Sequence, residues 1–354
     1  MLIYSIDLKN GITDIIENFE SVIWNVQYFD RSDFQLVTSG DNDNIKKLKV
    51  GTMLVRENDI TGNQYNNIMV IESQKLEYDQ DKGWVLTVTG KGLKNILSRR
   101  IVWNQMTFTG VVEKAIRQII KDNVIAPEDD ARKIPDFVLD AEQGFTDVTN
   151  IQLFGDNIAE WLVSVCQLFG YGWDVYVKDR KYVFRLYKGT DRSYNQSLVP
   201  PVVFSPEFDN LLSSTYTYSL QDYKNAALIG GEGEGTAKRT TGIGTASGLE
   251  RYETFIDGSG VSSDGQIITA EQYTDMLKDY GQTQLTNTAF NEKFEGEIEA
   301  QGTYVINRDF FLGDVVQIVN EKGISATPRI IEIIYAEDEN GTSVVPTFSE
   351  WEVN

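Results

Sequence analysis

The stretch from residue 227 to 244, ALIGGEGEGTAKRTTGIG, has the glycine-rich composition of a phosphate-binding loop. A P-loop requires Gly, four residues and Gly, then Lys and Ser or Thr at the start of a helix. Gly230 and Gly235 have this spacing, but Thr236 stands where the lysine must be. The segment therefore lacks the P-loop signature.

The dinucleotide fingerprint Gly-x-Gly-x-x-Gly fits the same loop no better. The loop offers Gly231, Gly233 and Gly235, with Glu232 and Glu234 between them. Two carboxylates in the cradle would repel a phosphate. We therefore predict that the protein binds no nucleotide and no other cofactor. The glycines are interpreted as positions of positive φ or of close backbone approach.

The remaining catalytic candidates are carboxylates. The chain has no histidine and one cysteine, which excludes the Ser-His-Asp triad, the Cys-His dyad and an intramolecular disulfide. Glycosidases use two carboxyl groups, and two pairs are close in sequence: Glu207 with Asp209, and Glu232 with Glu234. An acidic chain acquires such pairs by chance, so we predict no catalytic residue and no enzyme activity.

Two acidic turns, DNDN at 41–44 and DQDKG at 79–83, have the start of a calcium loop. Neither continues with the remaining ligand positions or a bidentate glutamate. Cys166 lies in an apolar helical pattern and is interpreted as a core residue. The sequence therefore predicts no metal site.

The charge balance excludes other classes of partner. The formal net charge is −21 and the isoelectric point is near 4.4, so the surface repels nucleic acid and anionic membranes. No apolar run approaches the ~20 residues of a membrane span, and the N-terminus does not have the pattern of a signal peptide. We predict no specific nucleic-acid binding and no membrane span.

Hydrophobic periodicity changes along the chain. The first hundred residues show short strand patterns separated by polar turns, as in a small barrel. The stretches TGVVEKAIRQIIKDN and DNIAEWLVSVCQLFG have helical spacing, and strand patterns then return. The expected fold class is β-rich α+β, with two similar small β-barrel domains flanking an α+β unit. The predicted boundaries are 1–100 for the first barrel, 101–200 for the α+β unit and 201–354 for the second barrel, with a loop and helix insertion at about 231–290.

An internal repeat supports two similar domains. Residues 50–79 read VGTMLVREND, a polar loop and IMVIESQKLEYD, and residues 312–338 read LGDVVQIVNEKG, a loop and RIIEIIYAED. Gly51 and Gly313 hold matching places at the start of each block. Each block follows a strand-like segment that begins with phenylalanine, at Phe34 and Phe294.

Several stretches together resemble the hub proteins at the tail tip of long-tailed bacteriophages, a family related in fold to the baseplate hub of contractile phages. The stretches run through nearly the whole chain in order: LTVTGKGLKNILSRRIV, TGVVEKAIRQII, YKGTDRS, VVFSPEFDNLLSSTYTYSLQDYKNAALIGGEGEG, GLERYETFID and FLGDVV.

This resemblance implies a structural protein of the virion, assembled in the cytoplasm of the bacterial host. It implies a homotrimer that forms a pseudo-sixfold ring, closes the tail tube and leaves a channel for DNA. The implied partners are the distal tail ring protein, the tape-measure protein and the tail fibre or spike. The resemblance implies structural roles for the following residues: Arg99, Arg100, Asp191, Arg192, Ser193, Asp209 and Asn210.

Two alternatives accompany this interpretation. One is a carboxylate-based hydrolase of cell-wall glycan, and the other is the hub of a prophage-derived injection particle. Many tail-tip proteins continue into a long C-terminal region with lysin modules, whereas this sequence stops at Asn354. We therefore expect no peptidoglycan hydrolase activity, and we expect acidic residues to line the channel.

Overall fold

The computed structural model describes residues 1–263, 268–286, 288, 291–298, 303–322 and 325–349. The first third is almost entirely strands, as its alternating pattern predicts. Its elements are β1 (Ile3–Asp7), β2 (Gly11–Ile16), β3 (Ser21–Gln27), β4 (Asp33–Ser39), α1 (Asn42–Lys47), β5 (Met53–Arg56), β6 (Ile60–Thr61), β7 (Gln64–Tyr65), β8 (Met69–Asp79) and β9 (Gly83–Gly92).

The middle third contains both predicted helices. Its elements are β10 (Met106–Val111), α2 (Val112–Ile120), β11 (Phe137–Leu139), β12 (Val148–Leu153), α3 (Ile158–Phe169), β13 (Gly172–Lys178) and β14 (Lys181–Tyr187). The Asn157 side chain caps the N-terminus of α3, and Gly170, with φ of 68°, ends the helix in the left-handed conformation. The predicted apolar face of α2 is buried, and that of α3 is buried from Ile158 to Val165 and half-buried at Leu168 and Phe169.

The last third returns to strands. Its elements are β15 (Val203–Phe204), β16 (Leu211–Ser219), β17 (Ala226–Gly230), β18 (Thr240–Ile243), β19 (Glu253–Asp257), α4 (Ala270–Thr286), β20 (Asn291–Ile298), β21 (Gln317–Val319), β22 (Ser325–Ala326), β23 (Ile330–Asp338) and β24 (Gly341–Phe348). Strands β17 to β19 pack on α4 around a small core of their own. The predicted boundaries at 290 and 354 lie outside the described residues.

One curled sheet joins the two ends of the chain. Its eleven strands have the order β16-β20-β24-β23-β3-β4-β9-β8-β5-β1-β2. Antiparallel pairing of β23 with β3 connects the strands of the last third to those of the first third. The predicted β-rich α+β class is confirmed.

The two repeat blocks have the same hydrogen-bond pattern at their glycines. In each block the glycine N–H donates to an isoleucine carbonyl on the next long strand, and that isoleucine N–H donates back to the residue after the glycine. The bonds join Gly51 to Ile71 (2.7 Å) and Ile71 to Thr52 (3.0 Å), and join Gly313 to Ile330 (2.8 Å) and Ile330 to Asp314 (2.9 Å). The two glycines have φ of 91° and 95°.

The match extends over four strands. A β-bulge follows the shared isoleucine in both β8 and β23. Ile71 pairs with Gly90, which pairs with Phe34 on the next strand. In the other block Ile330 pairs with Phe348, which pairs with Phe294. The orders β3-β4-β9-β8 and β16-β20-β24-β23 are therefore equivalent strand by strand.

The α+β unit packs closely against the first third. The β6–β7 hairpin pairs with β13 and so joins the sheet β11-β14-β13-β7-β6. Side chains from β1, β5 and the start of β8 also enter the core formed by α2, α3 and β13. The division into domains at residues 100 and 200 stays a prediction. No described helix is long and apolar enough to cross a membrane.

Candidate assembly interface

The joint between β23 and β3 is held by paired strands and by a buried ion pair behind them. Tyr335 on β23 lies opposite Trp24 on β3. The Arg56 guanidinium lies 3.5 Å from the centre of the Tyr335 ring, and its Nε donates to Asp59 at 2.6 Å. Arg56 and Asp59 are almost fully buried. Because a buried charge is costly without a partner, this cluster fixes the joint in one arrangement.

A buried tyrosine holds the second glycine block against the α+β unit. Tyr28 follows β3, and its hydroxyl donates to carbonyl oxygens after α3 and at the end of β14. A Cβ atom on Gly313 would lie 2.2 Å from the Tyr28 ring, whereas a Cβ on Gly51 would have no atom within 4 Å. Gly313 is therefore required by close packing and by its φ, and Gly51 by its φ alone.

An arginine near the end of the α+β unit reaches the same place. Arg192 Nε donates to Asp314 at 2.7 Å, and Asp314 also accepts the backbone N–H groups of Thr190 and Phe311. Ser193 is fully buried. The segment Asp191-Arg192-Ser193 thus anchors the α+β unit to the second glycine block.

Lys94 is a fully buried lysine beside this junction. Its Nζ donates to the backbone oxygen of Gln27 at 2.6 Å and lies 3.4 Å from that of Trp173. Burial lowers the pKa of Lys94 to about 8, against the attraction of Asp174. Lys94, Arg56 and Tyr28 were not singled out from the sequence, because nothing in their neighbours distinguishes them from surface residues.

The two strands of the internal joint, β23 and β3, are equivalent to β8 and β16, and both β8 and β16 have an unpaired edge in the described part of the chain. Strand β16, the equivalent of β3, is at one end of the strand order. Strand β8 is the equivalent of β23, and within the described part of the chain no strand pairs with its outer side after Met69 and Val70. Large apolar side chains are exposed along both strands and on neighbouring β9: Leu76, Tyr78, Trp84, Leu212, Tyr216 and Tyr218.

A family model matches residues 2–348 of this chain, that of the siphovirus ReqiPepy6 Gp37-like proteins. The chain belongs to this family. None of the curated proteins matches the sequence. The prediction of a siphophage tail protein is thereby confirmed.

Solved tail proteins have the same fold as this Gp37-like protein. The tail protein from Neisseria meningitidis MC58 is 14% identical, with a TM-score of 0.59 over 98% of this chain and 96% of that chain. The 43 kDa tail protein of prophage MuSo2 from Shewanella oneidensis is 11% identical, with a TM-score of 0.57 over 99% and 98%. The prophage tail protein gp18 from Listeria monocytogenes EGD-e is 11% identical, with a TM-score of 0.51 over 99% and 94%.

The glycine-rich loop of the Gp37-like protein is closed by its own side chains. The Glu232 carboxylate accepts bonds from the backbone N–H and hydroxyl of Ser263 and from Arg239 at 2.7 Å. These bonds, led by the one from the Ser263 N–H, lower the pKa of Glu232. Arg239 also lies 3.6 Å over the Tyr273 ring. Arg239, a cation of the loop that could have bound a phosphate, is therefore already held by Glu232 and Tyr273.

The other carboxylate pair lies on an exposed turn. Glu207 and Asp209 are exposed, and Asp209 has φ of 50°. The buried Asn210 holds this turn, since it accepts from the Ser205 N–H at 2.9 Å and donates to the Val203 oxygen at 2.8 Å. The structure therefore gives Asn210 a backbone-bonding role and places the two carboxylates on an exposed turn.

The acidic turns cap backbone N–H groups. Asp41 accepts from two N–H groups at the start of α1, and Asp79 accepts from Asp81 and Lys82 in the β8–β9 turn. These backbone bonds lower the pKa of both carboxyls. Among the described residues, no group of three or more Cys, Asp or Glu side chains is arranged to hold a metal ion.

Proposed function

We propose that this Gp37-like protein is the structural hub of a phage tail tip, where three copies form a pseudo-sixfold ring that closes the tail tube. The supporting observation is the joint inside the chain. Strand β23, the last of the four strands β16-β20-β24-β23, pairs with β3, the first of the four equivalent strands β3-β4-β9-β8. This contact is head to tail, and a head-to-tail contact repeated between copies generates a ring when its rotation closes.

The ring requires that β8 of one copy pairs with β16 of the next. Because β8 corresponds to β23 and β16 to β3, the register follows from the joint. Ile334 lies opposite Asn25 there, and the equivalent residues are Lys75 and Thr217. Tyr335 lies opposite Trp24, and the equivalents are Leu76 and Tyr216.

This pairing would cover the exposed apolar residues along the two strands. Leu76 and Tyr78 lie on the same side of β8, and Tyr216 and Tyr218 on the same side of β16. All four are between 39% and 64% exposed in the single chain. Bringing them together buries apolar area and removes two open edges, which soluble proteins avoid.

The face of the curled sheet opposite the core would then line the channel for DNA. Serine, threonine, asparagine and glutamine predominate on it. Among the described side chains of β3, β4, β8, β9, β23 and β24, the acids on this face outnumber the lysines. The acids are Asp33, Glu77, Asp79, Glu332 and Asp338, and the lysines are Lys75 and Lys91. Such a surface repels phosphate weakly, so DNA could pass without being retained.

The proposed partners are the distal tail ring protein, the tape-measure protein and the fibre or spike. The protein would reside in the virion after assembly in the host cytoplasm. The hub of a prophage-derived injection particle is the second candidate, because two solved proteins of this fold are prophage tail proteins. No carboxylate pair described above supports the glycan hydrolase.

The mass and symmetry of the purified protein test the hub. Light scattering should give three times the 40.0 kDa of the chain, and electron-microscopic class averages should show threefold symmetry. A zymogram on bacterial cell walls should show no cleared band. A stable monomer at high concentration contradicts the ring, and a band that is lost in Glu207→Gln favours the hydrolase.

A further inference from the structure

Two paired extended segments of the α+β unit each carry an exposed aromatic side chain. Ile101 pairs antiparallel with Asn157, and the Gly155 N–H donates to the Val102 oxygen at 2.8 Å. This pairing places Phe154 beside the segment that ends at Trp103. Trp103 is 58% exposed and Phe154 is 66% exposed.

Two arginines next to these segments are fixed by bonds to neutral oxygens. Arg100 Nε donates to the Arg132 carbonyl at 2.6 Å, and Arg132 Nη2 donates to the Ile101 carbonyl at 2.8 Å. The Arg132 guanidinium lies 4.8 Å from the centre of the Trp103 ring. The buried Asn123 completes the arrangement, since its Oδ1 accepts from the Trp103 N–H at 3.1 Å.

The positive charges of this pair are offset in part by Asp129, which attracts Arg132 without forming an ion pair with it. Neither Arg100 nor Arg132 takes part in an ion pair among the described residues, although the chain has 53 acidic residues against 32 basic ones. Desolvation and, after it, the positive charge of Arg100 lower the pKa of Arg132. Two like charges are therefore held together at a cost that an incoming anion would relieve.

We propose that Arg100, Arg132, Trp103 and Phe154, here called the arginine–aromatic surface, form a docking site for a carboxylate-bearing segment of another protein. Each guanidinium can offer its unused N–H groups to a carboxylate in a bidentate arrangement. The rings supply exposed apolar area for a side chain next to that carboxylate. This proposal does not depend on the ring, because the surface lies in the α+β unit.

The composition of the arginine–aromatic surface favours a protein rather than a nucleic acid as its binding partner. Tryptophan, phenylalanine and arginine are enriched in the central residues of protein interfaces. Nucleic-acid binding depends on many cations that neutralise successive phosphates, and here two arginines lie on a molecule of net charge −21. A single acidic segment with apolar neighbours matches both the charge and the rings.

The test uses the full chain and a labelled synthetic peptide of alternating glutamate and leucine. Fluorescence anisotropy should detect binding in about 0.15 M salt. The same peptide with glutamine should bind at least about tenfold more weakly, which corresponds to 1.4 kcal/mol. The double variant R100Q/R132Q and the single variant Phe154→Ala should each weaken binding of the glutamate peptide.

The matched control is Arg180→Gln, which removes a positive charge from an exposed hairpin turn. It should leave the affinity unchanged, and circular dichroism should show every variant folded. Since Phe154 is largely exposed, Phe154→Ala keeps the test valid if R100Q/R132Q fails to fold. Equal binding of both peptides, or no effect of the folded variants, overturns the proposal. Tighter binding of an oligothymidylate that R100Q/R132Q abolishes assigns the surface to phosphate instead.

Discussion

At the residue scale, the two repeat glycines provide a matched pair for mutation. Gly51 and Gly313 have nearly equal φ, but Gly313 alone has the Tyr28 ring where a Cβ would be. Gly51→Ala should destabilise the protein by about 1–2 kcal/mol, from left-handed backbone strain. Gly313→Ala adds overpacking, for a total of about 2–5 kcal/mol. Urea unfolding of both variants measures this, and equal losses would refute the role given to Tyr28.

Lys94 should make stability depend on pH. Its folded pKa is about 8, below its ordinary value of 10.5, so between these values the unfolded chain binds a proton that the folded chain lacks. The contribution of Lys94 to the free energy of unfolding therefore rises as the pH increases from about 8 to 10.5. The buried Cys166 thiol, whose pKa is raised by burial, has the opposite effect above its ordinary pKa.

The variant Lys94→Met isolates the lysine, since Cys166 is present in both proteins. The stability of the wild type relative to Lys94→Met should increase by about 2 kcal/mol between about pH 7.5 and pH 9.5. Urea unfolding at a series of pH values measures the difference. A difference that stays constant over this range would show that Lys94 keeps its proton in the folded state.

At the element scale, the glycine-rich loop should behave as a structural loop. Millimolar ATP should leave the Tm unchanged, because a ligand that binds the folded state alone must raise it. Glu232→Gln should lower stability by about 1–2 kcal/mol, since it weakens charge-assisted bonds to Ser263 and Arg239. A rise of several degrees in Tm with ATP would restore the phosphate-site interpretation.

The sequence predicts the elements better than it predicts their connections. Periodicity locates α2, α3 and the caps at Asn157 and Gly170, because these features depend on residues close in the chain. The Gly51 and Gly313 repeat is readable for the same reason. The β23–β3 joint pairs residues about three hundred positions apart. The Arg56–Asp59 pair contributes to this joint because Arg56 lies against the Tyr335 ring. Such contacts leave no local pattern.

At the scale of the whole molecule, the net charge tests the proposed DNA channel. With a net charge of −21 and a sheet face rich in small polar residues, the assembled protein should not retain duplex DNA. A gel-shift assay in about 50 mM salt should show free DNA only. Binding that weakens steeply as salt is added would contradict the proposed channel surface.

If the ring forms, the β23–β3 joint is repeated between copies as a pairing of β8 with β16, and a cysteine trap detects that pairing. The internal reference is the variant with Asn25→Cys and Ile334→Cys, residues that lie opposite each other within one chain. The equivalent pair between copies is Lys75→Cys with Thr217→Cys, while the native Cys166 is buried.

A one-residue shift of register, Lys75→Cys with Tyr216→Cys, is the negative control, since it turns one thiol to the other face. After mild oxidation we expect covalent trimers from the Lys75 and Thr217 pair and monomers from the other two variants. If the internal reference oxidises and the Lys75 and Thr217 pair stays monomeric, the ring is contradicted.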